Sequence, residues 1–261
     1  MLLGLENKAA LVMASSEGLG KGIAKELSRE GADVMLFSRS EDKLRKAQRE
    51  IYDETGRKPL YTVGDALKAD DIARAVHNTV QASGHLYALV VNAGGPPPGA
   101  FDDFNDAAWQ KAYELCLLSG VRAVRAAKEH LKKAGGRILF STSASVKTVP
   151  DNLILSTVFR LGVTGLSKTL SQEMAGDGVL VNVLAPGRIF TERIDQLDHF
   201  QADREGISLD PVRGRQHAHI PLGRYGTTDE YGRMAAFLLS PANSYLTGQI
   251  ILLDGGLVKS F

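Results

Sequence analysis

Ala10-Leu-Val-Met-Ala-Ser-Ser-Glu-Gly-Leu-Gly-Lys-Gly-Ile-Ala24 decides how the rest of the chain is read. A continuous apolar run passes straight into glycines and then into Leu19, Ile23 and Leu27 at helical spacing, the pattern of a buried strand, a tight turn and a helix. Gly18 and Gly20 let the backbone come close to a ligand, and the first turn of the helix offers unpaired N–H groups and the positive end of its dipole. Such a turn suits the pyrophosphate of a dinucleotide. The usual fingerprint has a third glycine three residues after the second, and here that position is Ile23.

Outward from this turn the pattern alternates. Apolar runs at 32–37, 60–63, 86–91, 137–140, 179–184 and 249–253 predict strands. Helical spacing at 41–55, 70–83, 106–133, 158–174 and 229–239 predicts helices, with Ser40 as the N-cap of the first of these. Near-continuous apolar strands alternating with helices predict an α/β fold, a doubly wound parallel sheet of Rossmann type with about seven strands and helices on both faces. No repeat, linker or low-complexity segment divides the chain, so a single domain over 1–261 is expected. Residues 188–221 break the rhythm, mixing Arg193, Asp195, Asp198, His199, Asp203, Arg204, His217 and His219 without periodicity, and are expected to form a substrate lid or mobile loop.

Composition limits the partners. With 261 residues, 44% hydrophobic and 23% charged, the chain can bury a sizeable core. A net charge of +1 gives no electrostatic reason to expect nucleic acid or an anionic membrane. The single cysteine, Cys116, forms no internal disulfide, so a reducing, cytoplasmic setting is expected and no metal site is. No run approaches the ~20 apolar residues of a membrane span. A small-molecule substrate is the expected partner.

Further motifs follow the strands: Asp65-Ala66, Asn92-Ala93-Gly94, Ser143, Pro186-Gly187-x-x-x-Thr191, Pro221-Leu-Gly-Arg224 and Leu253-Asp-Gly-Gly256. In this order and spacing, with Met13-Ala14-x-x-x-Gly18-Leu19-Gly20, the chain resembles the short-chain dehydrogenase/reductase family over nearly its whole length, and within it the 3-oxoacyl-(acyl carrier protein) reductases. The family's turn reads Thr-Gly-x-x-x-Gly-x-Gly, so its first two positions differ here. The resemblance implies a nicotinamide dinucleotide held by Ala14, Ser15, Ser16, Gly18, Leu19 and Gly20. It further implies adenine beside Asp65 and Ala66, the cofactor packed against Asn92, Ala93 and Gly94, and nicotinamide held by Pro186, Gly187, Ile189 and Thr191. Each stretch lies at the carboxyl end of a predicted strand, where open α/β sheets bind ligands. At the end of the second strand, Ser38 and Arg39 supply a hydroxyl and a guanidinium suited to a 2′-phosphate, which favours NADP. Glu17 would repel that phosphate and leaves NAD as the alternative.

The family's usual chemistry rests on Asn, Ser, Tyr and Lys, with Tyr thirteen residues after Ser and Lys four after Tyr. Counted from Ser143, those positions are Ser156 and Arg160, and the Asn position, seven on from Trp109, is Cys116. A serine hydroxyl is a far weaker acid than a phenol, and a guanidinium holds charge but shuttles no proton. Ser143 keeps a hydroxyl for a substrate oxygen. The residues expected to carry chemistry are Ser143, Ser156, Arg160 and Tyr113, which lies one helical turn before Cys116; Tyr225, His199, His217 and His219 are further proton donors to consider. Three functions stay open: an NADP(H)-dependent oxidoreductase acting on a carbonyl or alcohol with a non-standard proton donor, a catalytically silent nucleotide-binding protein or partner subunit, and a non-redox lyase or isomerase with Arg160 as anion anchor. The helices at 106–133 and 158–174 carry apolar residues on more than one side, and relatives pair these helices between subunits, so a homo-oligomer, dimer or tetramer, is expected.

Overall fold

The computed structural model describes residues 2–260. Its strands are β1 (Ala9–Met13), β2 (Asp33–Ser38), β3 (Leu60–Val63), β4 (Ala88–Val91), β5 (Arg137–Ser141), β6 (Leu180–Pro186) and β7 (Ile250–Leu253). All pair in parallel, in one sheet of order β3-β2-β1-β4-β5-β6-β7. The helices are α1 (Gly18–Arg29), α2 (Glu41–Thr55), α3 (Ala69–Ser83), α4 (Asp106–Tyr113), α5 (Ser119–Ala134), α6 (Ile154–Glu173), α7 (Glu192–Glu205), α8 (Leu209–His219) and α9 (Thr228–Leu239). This is the expected doubly wound Rossmann-type sheet.

Strands β1 and β4 are buried along their whole length, which is why their sequences are continuously apolar instead of alternating; β5 is as buried, with Ile138, Leu139 and Phe140 apolar between Arg137 and Ser141. Successive side chains still go to opposite faces. Ala10 and Val12 join Ile23, Leu27, Leu44, Ile51 and Tyr231 beneath α1, α2 and α9. Leu11 and Met13 join Ile72, Val76, Ala123 and Val163 beneath α3, α5 and α6. The chain runs from β1 to β2 on one side and returns through β4 on the other, so the carboxyl ends of β1 and β4 open a crevice at the point where strand order reverses. A third glycine does exist, at Gly22: a Cβ there would lie 2.7 Å from Thr228 O, so this position lets α1 pack closely on α9.

Three segments differ from the sequence-based expectation. The helix expected at 106–133 is continuous but carries a π-helical turn, Glu114–Leu118, between α4 and α5, with Cys116 buried on it. Helix α6 begins at Ile154, which brings Ser156 into its first turn. The stretch 188–221 is not an irregular loop but largely two helices, α7 and α8. Thr191 Oγ1 caps α7 by accepting from Ile194 N at 3.3 Å, and Gly206 ends it with φ 65°. The buried slot of α7 is filled by Asp198 where the helical period calls for an apolar residue, so the hydrophobic pattern that marks a helix is missing. Among the described residues no helix is long and apolar enough to cross a membrane, and no cluster of three or more His, Cys, Asp or Glu could hold a metal ion.

Candidate active site

A cleft of about 490 Å³ lies over the carboxyl ends of β1, β4, β5 and β6. Its floor is the turn between β1 and α1. Ala14 has φ 47°, a left-handed conformation that costs a non-glycine residue roughly 1–2 kcal/mol. Gly18 adopts φ 56° without that penalty and packs its backbone toward Thr191 Cγ2. A Cβ on Gly20 would lie 2.9 Å from both the Ala14 carbonyl carbon and Asn92 Nδ2. Asn92 Nδ2 donates to Ala14 O at 3.2 Å, which ties the end of β4 to the turn. The walls include Leu19, Ala93, Gly94, Pro186, Gly187, Ile189 and Thr191, all expected from the sequence. Glycine conformations and free helix N–H groups make this a cradle that fits a dinucleotide pyrophosphate.

Other residues expected at the cofactor sit elsewhere. Ser15 is fully buried, with its hydroxyl donating to Val12 O at 2.8 Å and accepting from Phe37 N at 3.0 Å. It joins β1 to β2 and has no free group for a ligand. Ser16 Oγ donates to Ser38 Oγ at 2.9 Å, bracing the end of β2. Asp65 accepts from Leu67 N at 3.0 Å and its own N–H is taken by Asp71 at 2.9 Å; neither it nor Ala66 lines the cleft. Arg39 does line the cleft, beside Glu17 and Lys43. Lys43 Nζ pairs with Glu17 at 2.8 Å, and this contact raises the lysine pKa, so the acid expected to repel a 2′-phosphate has its own counter-charge.

In the deeper half, Ser143 and Ser156 face the cleft. Ser143 Oγ accepts from Ser145 N at 3.2 Å, which leaves its proton free to donate. Arg160 is 6% exposed, donating through Nη1 to Ser141 O at 2.8 Å and through Nη2 to Ala93 O at 3.1 Å, while Nε has no partner. Arg193, from the segment whose spacing carries no periodic signal, lines the same cleft and donates to Pro96 O at 2.6 Å. Tyr113 does not line the cleft: its ring packs against Phe159, centroids 6.1 Å apart. Burial pushes the Cys116 thiol pKa up despite Arg160 and Arg193 nearby, so it is a packed thiol and not a nucleophile.

A model of the enoyl-(acyl carrier protein) reductase family matches residues 13–258. The chain belongs to the short-chain dehydrogenase/reductase family. Dehydrogenase/reductase SDR family member 4 of Caenorhabditis elegans is 31% identical over 253 residues, 96% of this chain and 95% of that protein. The 3-oxoacyl-(acyl-carrier-protein) reductase FabG of Chlamydia muridarum is 30% identical over 255 residues, 97% of this chain and 98% of its own. Among solved structures, L-sorbose reductase from Gluconobacter frateurii, complexed with NADPH and L-sorbose, superposes with a TM-score of 0.93 at 26% identity and covers 100% of both chains.

In this short-chain dehydrogenase/reductase the remaining expected proton donors are held away from the cleft. Tyr225 donates to Asp198 Oδ2 at 2.9 Å. Burial first, and then that carboxylate, push its pKa up to about 12, so it holds its proton too tightly to act as an acid near neutrality. His217 lies edge-on to Tyr225, ring centroids 4.6 Å apart, and His199 and His219 are exposed outside the cleft. Asp198, fully buried, also takes Arg188 Nη1 at 2.6 Å and stands 3.6 Å from Arg213 Nε. This cluster locks α7 and α8 onto the segment after β6. No hydrophobic period could have signalled it, because its centre is a charge.

Proposed function

We propose that this chain is an NADP(H)-dependent oxidoreductase that moves hydride between nicotinamide and a carbonyl or alcohol substrate without a tyrosine acid. The observation that carries the reading is the cradle, in which Gly18, Gly20 and the Asn92 tie leave room for a pyrophosphate that any Cβ at Gly20 would disturb. Backbone N–H groups of Leu19 and Gly20 would hold the pyrophosphate, Arg39 and Lys43 the 2′-phosphate, and Ile189 and Thr191 the nicotinamide end. The chemistry such a dinucleotide supplies when bound is hydride donation or acceptance at its nicotinamide ring. Ser143 and Ser156 donate hydrogen bonds to the substrate oxygen, and the permanent charge of Arg160 favours negative charge building there. An aliphatic hydroxyl is too weak an acid to finish the reaction, so the proton comes from water entering the cleft. Helices α7 and α8 serve as the substrate lid.

Exposed Val158 and Leu161, 44% and 46% accessible on α6, support a homo-oligomer built through that helix. The function is tested by calorimetric titration with NADPH and NADH, followed by an NADPH-oxidation assay over a carbonyl panel. NADPH binding tighter than NADH, with at least one carbonyl reduced above the buffer rate, is expected; no binding of either dinucleotide defeats the reading. A nucleotide-binding partner without hydride transfer is the second reading, favoured by the engagement of both Arg160 Nη atoms with main-chain carbonyls. It predicts tight NADPH binding and no turnover on any carbonyl.

A further inference from the structure

The deeper half of the cleft holds two guanidinium groups and no carboxylate to match them. Arg160 and Arg193 are fastened to the same short loop, one to Ala93 O and the other to Pro96 O. Gly95 between them lets the Arg193 guanidinium lie close against the loop, since a Cβ there would stand 3.0 Å from Arg193 Nε. Among the described residues neither arginine has an ion pair within 4.0 Å. The acids that do reach the cleft are Glu17, already paired with Lys43, and the exposed Glu192. Arg160 is buried and Arg193 half-buried; charge removed from water without a counter-charge is costly, and such a cation normally finds an anion or a fully satisfied set of acceptors. Here the acceptors are neutral carbonyls, Arg160 Nε has none, and Arg193 uses one of its five N–H donors.

We propose that Arg193, with Arg160 beside it, binds an oxyanion carried by the substrate, a carboxylate or a phosphate ester, so that the enzyme acts on small anionic carbonyl or hydroxy compounds. This rests on the reductase reading for the assignment of that half of the cleft to substrate. A planar guanidinium fork matches both oxyanions in bidentate geometry, and the fold supplies it from the start of α7. Burial, and after it the charge of Arg160, hold the Arg193 pKa below its ordinary value, the direction expected of a cation awaiting an anion. The neutral Cys116 thiol nearby adds no competing negative charge.

The experiment titrates NADP⁺-saturated protein calorimetrically with 2-oxobutanoate, benzoylformate and dihydroxyacetone phosphate, each against its neutral counterpart: the two methyl esters and dihydroxyacetone. At least one anion should bind about tenfold or more tightly than its neutral counterpart. Arg193→Met should abolish that preference and Arg193→Lys keep part of it, with NADP⁺ affinity changed less than about threefold in both. The carboxylate and phosphate arms identify which oxyanion the site takes. Equal binding of anions and neutral counterparts overturns the proposal, as does a preference that survives Arg193→Met. A variant that loses NADP⁺ affinity while keeping the preference also overturns it, by assigning Arg193 to the cofactor pyrophosphate. Because binding is read directly, anion preference without any NADPH oxidation removes the hydride-transfer reading and leaves this site standing.

Discussion

Gly20→Ala places one methyl group at the tightest approach in the cradle. Its Cβ would lie 2.9 Å from the Ala14 carbonyl carbon and from Asn92 Nδ2, and nearer still to Ala14 O, whereas carbon contacts settle at about 3.5–4 Å. The neighbours cannot swing aside as a flexible side chain would. Ala14 already sits at φ 47°, and its carbonyl is held by Asn92. Relief therefore requires the turn or the end of β4 to move by roughly half an ångström or more, and overpacking of this kind costs about 1–3 kcal/mol. If the turn moves, the cost falls on ligand binding, and at about 1.4 kcal/mol per tenfold NADPH affinity drops about fivefold to a hundredfold. If the turn holds, the same amount is lost from folding stability. Calorimetric NADPH titration and urea unfolding together capture both shares. Gly214→Ala is the control: nothing lies within 4 Å of its Cβ on α8, so helix propensity alone should stabilise that variant by about 0.5–1 kcal/mol. A Gly20→Ala protein that keeps NADPH affinity within about twofold, and stability within about 0.5 kcal/mol, would refute the close-approach argument.

Three further outcomes are expected. Asp198→Asn strips the buried counter-charge from Arg188 and Arg213 and should destabilise by about 3–5 kcal/mol, more than Tyr225→Phe, which loses one hydrogen bond to a charged group, about 1.5–3 kcal/mol; urea unfolding checks the order. Lys43→Ala frees the Glu17 carboxylate toward the 2′-phosphate end of the cleft, so NADPH affinity should fall about fivefold or more while NADH affinity stays within about twofold, an effect that high salt reduces. The pair Ser156→Tyr and Arg160→Lys supplies a phenol and an ammonium at the positions counted from Ser143, and carbonyl reduction should rise, since a positioned acid contributes about 10²–10⁴-fold. An unchanged rate in a folded, NADPH-binding double variant would count against a missing phenol as the limit on chemistry.

Much of the fold was legible because its signals are local. A parallel strand buried on both faces must be continuously apolar, so 32–37 and 86–91 announce themselves, and a helix on the sheet repeats its apolar face, as Leu44, Ala47 and Ile51 do. The segment 188–221 hid two helices because Asp198 occupies the buried slot and its partners, Arg188, Arg213 and Tyr225, are scattered along the chain. Ser15 shows the converse limit: a hydroxyl in the cradle motif reads as a ligand contact, but Val12 and Phe37 consume both its functions.

By itself the sequence determined the strand-helix alternation, the crevice at the reversal of strand order and the glycine turn above it, since each depends on residues adjacent in the chain and on steric rules that hold for any neighbour. Which charges face the cleft was decided only by tertiary structure. Lys43 neutralises Glu17, Arg193 crosses Gly95 to stand beside Arg160, and Tyr225 turns its hydroxyl to Asp198. Electrostatic partnership depends on distance in space and on removal from water, and neither is written in the spacing of residues along a chain.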